Sequence, residues 1–457
     1  MLPSQPETHS PRSPRRRLPR RFAPAPLTRI LPLLLAPVFA AAPILAEATA
    51  DDSGWPQWSG PTGNWHAEDG EIAGAWPADG PRALWKRPLG EGYAGFAVQG
   101  DVAVTAFRAG DVEVAVALDI GTGDERWRVT WSSPAKDFSG RFGLGPYATP
   151  AIAGGLAVTV GSGAQVHAID LRTGEVRWSR DLWRDTARPE KAGPGYTPSP
   201  LIVDAVGDRR IVLPLGHAKG RGVVALRLDD GSTAWSSGDD AGAHASVALG
   251  AFAGRRQLVA VSKAEVAGLD PATGQALWRQ PYDNPNGANI LTPVVGDAGI
   301  FLSSGPAKGS RLLVPAADAD GTASDVPAWE SAQLRIFYSN AVHFAGTLVG
   351  SNGGVGPATL VAVDLPTGKI LWRSREVGRA NLVAVGDRAV ALEDDGTLVL
   401  LELLPKGPRV LARHQLFPGR AWTPPAIADG RLYARDRTHA VALDLRAPSA
   451  QAAVADH

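Results

Sequence analysis

The chain contains no cysteine and a single methionine in 457 residues. Without cysteine there is no disulfide, no thiolate nucleophile, no thiolate-bound metal and no acceptor for a lipid at an export-signal junction. The fold is left to burial and strand pairing. An excess of charge of one sign is also lacking, with 46 basic against 46 acidic residues. That balance hides an uneven distribution. Residues 1–46 hold seven arginines (Arg12, Arg15, Arg16, Arg17, Arg20, Arg21 and Arg29) and one acid, Glu7. An apolar run follows from Ile30 and ends in Ile44-Leu45-Ala46, the pattern of a cleaved export signal. The run is short for a membrane span and is broken by Pro32, Pro37 and Pro43. Leu18 and Phe22 follow the arginine pairs without a full twin-arginine consensus, so the general and twin-arginine routes both stay open. Residues 47–457 then hold 39 basic and 45 acidic residues. Such a body lacks the clustered positive charge of a nucleic-acid-binding surface. The expectation is a periplasmic or secreted monomer with no transmembrane segment after cleavage and no nucleic-acid partner.

What the chain has is a repeat. Glycine (52) and proline (38) mark many turns, and one pattern recurs: a short apolar strand, Leu-Asp or its like, a Thr-Gly or Asp-Gly turn, then Trp. It runs through Asp119, Thr122-Gly123 and Trp127, then Asp170, Thr173-Gly174 and Trp178. It returns at Asp230-Gly231 and Trp235, at Asp270, Thr273-Gly274 and Trp278, and at Asp364, Thr367-Gly368 and Trp372. With Trp85 and Trp329 the series has seven tryptophans, and Leu411 takes the eighth place. Intervals of this size suit four short strands with their loops, the unit of a propeller.

One interval shows the logic. Tyr147–Ala153 begins an inner strand, Leu156–Gly161 and Gln165–Asp170 follow, and Val176-Arg177-Trp178 completes the sheet. Gly takes a positive φ in the turn, the preceding Asp bonds the turn backbone, and Trp is placed to fill the seam between neighbouring sheets. The last strand, Ala440–Leu445, has no Trp strand after it, and Ala83–Lys86 has no sheet before it. Each completes the other, which predicts an all-β, eight-bladed propeller of four-stranded antiparallel blades closed by its N- and C-terminal strands. Two blades depart from the pattern: the fifth carries an insertion from Ala316 to Pro327, and the seventh has Pro405-Lys406-Gly407-Pro408 in place of Thr-Gly. The expected organisation is a signal over 1–46, an aromatic-rich segment over 47–82 with Trp55, Trp58 and Trp65, the propeller over 83–446, and a disordered tail over 447–457. The aromatic segment reads as a lid or plug, against an exposed partner-binding surface.

The tandem A-x-D-x-x-T-G-x-x-x-W pairs resemble the pyrroloquinoline-quinone-type repeat, and Trp55–Asn64 resembles the opening motif of exported quinoprotein-like propellers. The resemblance covers residues 55–445. It implies the eight-bladed fold but not one activity, since the superfamily includes quinone-dependent alcohol dehydrogenases and outer-membrane assembly factors. The first reading is a ligand-binding or protein-interaction scaffold of the cell envelope. The second is a dehydrogenase using the quinone PQQ and calcium on an alcohol or sugar, and the third is an assembly-factor-like scaffold. The dehydrogenases bind calcium through Glu, Asn and Asp, and those ligands have no match here. Many also carry adjacent bridged cysteines, and this chain has none. Assembly factors are lipoproteins, and the acceptor cysteine is absent. Asp119, Asp170, Asp270 and Asp364 read as turn acceptors.

A ligand would sit at the channel mouth, ringed by the loops from strand four to strand one and from strand two to strand three. The candidates there are Tyr147, Tyr196, Lys219, Lys308, Arg335, Asn352 and Arg420, with Arg379 beside them. Lys219 and Lys308 share an Ala-Lys-Gly loop, which suggests a carboxylate-bearing ligand, against two solvated lysines. His217, His244 and His343 do not have metal-site spacing. No catalytic residue and no metal ligand is assigned.

Overall fold

The computed structural model describes residues 54–447 apart from 139–142, 187–194, 206, 216–220, 240–241, 253, 283, 285–288, 306–308, 315–326, 345 and 355. The expected export signal over 1–46, nearly all of the expected tail, most of the fifth-blade insertion, and Lys219, Lys308 and His217 therefore lie outside the described residues.

The described strands form eight sheets around one axis, each antiparallel and four-stranded apart from one added strand. The inner strands of blades 1 to 8 are Ala97–Gln99, Ala151–Ala153, Leu201–Ala205, Ala248–Phe252, Val294–Gly296, Ile336–Phe344, Ala380–Val385 and Ala426–Ala428. Blade 8 takes its outer strand, Arg82–Pro88, from near the start of the chain and pairs it with His439–Asp444. Alternation along the strands places Val104, Ala115 and Ala117 of blade 1 against Ile152, Ala157 and Ile169 of blade 2, and the other seams are built likewise.

The repeat motif is a lock between blades. Trp127 of blade 1 lies on Gly174 of blade 2, and its indole N–H donates to the Leu171 carbonyl at 2.8 Å. Trp178 lies on Gly231 and donates to Leu228, Trp235 on Gly274 with Pro271, Trp329 on Gly368 with Leu365, and Trp85 on Gly123 with Ile120. The glycine is required twice. Gly231 has φ +70°, and a Cβ there would stand 2.6 Å from Trp178 Cε3. Each turn is tied by its aspartate: Asp119 Oδ1 accepts the N–H groups of Gly121 and Thr122 at 2.9 and 3.0 Å. The outer oxygen of Asp119, Asp170 or Asp270 pairs with an arginine, which holds these carboxyls below the usual range. These acids sit at the turn face, away from the mouth.

Three seams differ. Trp278 bonds Gln257 of its own blade at 2.6 Å. Trp372 is buried beside blade 7, whose turn runs through Pro405 and Lys406. In blade 7 the register corrects the sequence alignment. Leu400 pairs with Ala412 and Leu401 with Val410, so Leu411 is the bulged residue and Ala412 holds the tryptophan position. The lost indole is replaced by the chain segment 68–81. Ile72 and Trp76 pack into the core there, Arg388 donates to the Ile72 carbonyl, Ala73 N–H donates to Leu445, and Gly80 lies on His414.

Residues 54–67 enter the channel from the turn face. Trp55 pairs with Val98 in both directions, Pro56 accepts Ile152 N–H, and Gln57 Oε1 accepts Ile202 N–H. His66–Ala67 adds a parallel strand to the inner edge of blade 7. Trp65 packs against Trp55 and Trp58, with centroids 6.1 and 4.9 Å apart. Trp55 and Trp65 are buried, and burial of such rings is a large apolar gain.

Candidate functional site

Above this plug the channel narrows to a girdle of small polar side chains where each blade leads into its inner strand. Gly95 N–H donates to Thr149 Oγ1, Thr149 N–H to Ser199 Oγ, and Ser199 N–H to Ser246 Oγ, at 2.9–3.0 Å. On the other side Asn340 exchanges bonds with Leu382, Asn381 donates to the Trp422 carbonyl, and Thr423 Oγ1 donates to the Tyr93 carbonyl. Blade 5 is joined through the plug, because Trp58 Nε1 donates to Thr292 Oγ1 at 3.0 Å. Apart from Thr292, the girdle side chains are buried and bonded to backbone, so they fix blade spacing.

The lip of the mouth lies beyond the girdle. Tyr147 stacks on Tyr93 (5.3 Å, 3°), and Tyr93 stacks on Trp422 (5.9 Å, 19°). These rings belong to the lead-in segments of blades 2, 1 and 8. Arg420 caps the row, its guanidinium carbon 5.1 Å from the Trp422 ring. Burial pushes the Tyr147 hydroxyl up to about 12, and it donates to the Gly143 carbonyl at 2.6 Å. Burial raises Tyr93 as well. Arg379 lies over Tyr338 at 5.8 Å and is paired with Asp394. Arg335 is exposed, and its backbone N–H donates to Asn352 Oδ1 at 2.6 Å. The structure thus brings Tyr147 and Arg420 into one row with Tyr93 and Trp422, and sets Arg335 beside Asn352. Tyr196 is not brought to the lip: it is buried under Trp183, and its hydroxyl is driven upward by burial. Tyr93 and Trp422 went unselected in the sequence, although an aromatic four residues before the inner strand in blades 8, 1 and 2 was a readable signal.

Two buried cations stiffen the same face. Arg108 pairs with Glu113 at 2.6 Å, and Glu113 also accepts Ser162 N–H and Oγ–H at 2.9 and 2.5 Å. Arg435 is fully buried and donates to the carbonyls of Gly90, Ala94, Ala106, Asp436 and Arg437. Burial lowers it to about 10. These bonds tie the last blade to the first.

The described residues of the mouth do not supply the ligand set of a calcium-bound quinone. Calcium takes six to eight oxygen ligands, carboxylates foremost. The girdle oxygens are committed to backbone. Glu113 is consumed by Arg108 and Ser162, and Glu393 by Gly378 N–H and Arg413. Among the described residues no group of three or more His, Asp or Glu side chains is placed to hold a metal ion. His244 Nδ1 bonds Thr197 Oγ1, the His343 carbonyl bonds the plug's His66, and burial lowers both histidines. Nor is any helix among the described residues long and apolar enough to cross a membrane.

The family described as outer membrane protein assembly factor BamB matches residues 68–190 and 110–330, more than half of the chain in all. No curated protein matches the sequence. Among solved structures, BamB from Moraxella catarrhalis is 16% identical with a TM-score of 0.52, covering 79% of this chain and 99% of its own. The quinohemoprotein alcohol dehydrogenase from Comamonas testosteroni is 14% identical with a TM-score of 0.61, covering 88% and 82%. The alcohol dehydrogenase ADHIIG from Pseudomonas putida is 13% identical with a TM-score of 0.56, covering 88% and 81%. At these identities the likeness is one of fold.

Proposed function

Because the chain belongs to the outer membrane protein assembly factor BamB family, we propose that it is an exported scaffold of the cell envelope that binds a ligand or protein partner at the mouth of its propeller. One observation carries the reading. The channel is filled from the turn face by residues 54–67, while the lip opposite carries partly exposed aromatics and arginines above a girdle already satisfied by backbone. The arrangement offers a contact surface, and its polar groups are spent on holding the wheel together. The arginine-rich start and apolar run of residues 1–46 support export to the periplasm or beyond, with the folded chain acting as a monomer. The test is site-specific crosslinking from the lip at Arg420 and from the turn face at Arg126 in whole envelopes. Adducts from the lip alone support the reading, and adducts from the turn face alone overturn it.

A PQQ-dependent dehydrogenase is the competing reading, favoured by the names of two structural relatives. It is tested by adding the quinone and calcium to the purified protein. A bound-quinone spectrum together with dye-linked alcohol oxidation would replace the scaffold reading.

A further inference from the structure

We propose that the lip over blades 6, 7, 8, 1 and 2 is a track for an extended acidic peptide segment. The proposal rests on the mouth being the partner surface and adds the chemistry of the partner.

The first argument is electrostatic. Arg335 and Arg420 are exposed, and neither has a carboxylate partner among the described residues, whereas Arg379 is paired with Asp394 and Arg437 with Glu91. Among the described residues, two guanidinium groups therefore stand on the lip without a carboxylate partner.

The second argument is the ring geometry. Tyr147, Tyr93 and Trp422 lie face to face in a row, and the Arg420 guanidinium lies 5.1 Å from the Trp422 ring. Stacking hides the ring faces, which carry the negative part of the quadrupole. The sign offered to a ligand there is then set by the arginines. Tyr338, 37% exposed with Arg379 over its face, continues the pattern into blade 6.

The third argument is shape. The row spans the lead-in segments of blades 2, 1 and 8, and Arg379 with Tyr338 stands on blades 7 and 6 beyond it, a path suited to an extended chain rather than a compact small molecule. Among the described residues the remaining arc offers Thr197 and His244, which bond each other, and burial lowers the His244 pKa. A polynucleotide is disfavoured because it carries a charge on every residue, and the net-acidic body beyond residue 46 repels it more strongly than a peptide whose charges alternate with neutral residues.

The experiment measures fluorescence anisotropy of labelled twelve-residue peptides with the chain lacking its first 46 residues. The probes alternate serine with glutamate, glutamine or lysine, and a single-stranded DNA of twelve nucleotides is the fourth. The glutamate peptide is expected to bind at least about ten-fold more tightly than the glutamine peptide, a difference of about 1.4 kcal/mol. Its affinity falls as salt rises. The double variant Arg335→Ala/Arg420→Ala loses that preference with an unchanged melting temperature, while Arg126→Ala on the turn face binds normally. Equal binding of the glutamate and glutamine peptides, an unaffected double variant, or tighter binding of the DNA would each overturn the proposal. If the glutamine peptide binds equally well and Trp422→Ala weakens it, the acidic specificity is gone while the mouth stands as a partner surface.

Discussion

At the turn face Trp127, Trp178 and Trp235 lie on a glycine of the next blade and donate to the same carbonyl position, whereas at the mouth face each blade leads into the channel differently. There blade 8 presents Trp422, blade 1 Tyr93, blade 2 Tyr147, and blade 7 Arg379 on the Tyr338 ring of blade 6. The turn face repeats because most seams pose the same packing problem, and one solution, an indole lying on a glycine, serves five of them. The mouth varies because eight equal positions can describe only an eight-fold ligand. Under the proposed function, this asymmetry is what would let the mouth distinguish one partner from another.

That contrast can be broken by mutation. Trp235→Ala should have the largest effect, a loss of about 3–5 kcal/mol, from the emptied seam and the abandoned Pro271 carbonyl. A loss under about 1 kcal/mol in denaturant unfolding would mean the turn face does not carry the stability. Gly231→Ala adds only a methyl group yet should cost about 3 kcal/mol, since φ is +70° and Trp178 occupies the space. The third test is acid. His167 sits in the seam of blades 1 and 2 under Trp131, and burial lowers it to about 4, against about 6.5 when unfolded. It is held neutral by the fold, so its contribution is complete above pH 6.5 and is lost as pH falls towards 4, by about 2–3 kcal/mol. His244 and His343 act in the same direction, so the reading is the difference between the chain and His167→Gln across that window, which should shrink to zero at neutral pH. Trp58→Phe keeps the ring but loses the bond to Thr292, for about 1 kcal/mol. Smallest is Arg420→Ala, expected within about 0.5 kcal/mol in stability because it is exposed. A cost equal to that of Trp235→Ala would erase the distinction between the faces.

The wheel was legible because its signal is periodic. Asp119, Gly123 and Trp127 recur with their backbone, and the pairing of Ala83 with Leu443 follows from two incomplete sheets at the chain ends. The glycine's second duty, as the floor beneath an indole, was hidden because the partner sits about fifty residues away in sequence. Leu411 was misplaced by one position because a bulge leaves no mark in composition, and only the pairing of Leu400 with Ala412 reveals it. At the mouth, sequence reasoning chose Tyr147 and Arg420 but passed over Tyr93 and Trp422, because a stack is made by neighbours in space. It chose Tyr196, which packs inward on Trp183. The strap of Ile72 and Trp76 at the seam of blades 7 and 8 was unreadable, since nothing periodic announces a substitute for a missing tryptophan.

The sheet shared between the chain ends has a consequence for manufacture. Arg82 meets Asp444 across 362 positions of sequence. No product that stops short of His439–Asp444 can finish the ring, and Arg82–Pro88 must wait beside an unfilled place until synthesis has delivered the rest. A truncated copy keeps an open strand edge, the feature that invites aggregation and proteolysis. Closure therefore serves as a check that the chain has reached His439–Asp444, without which Arg82–Pro88 keeps an unpaired edge.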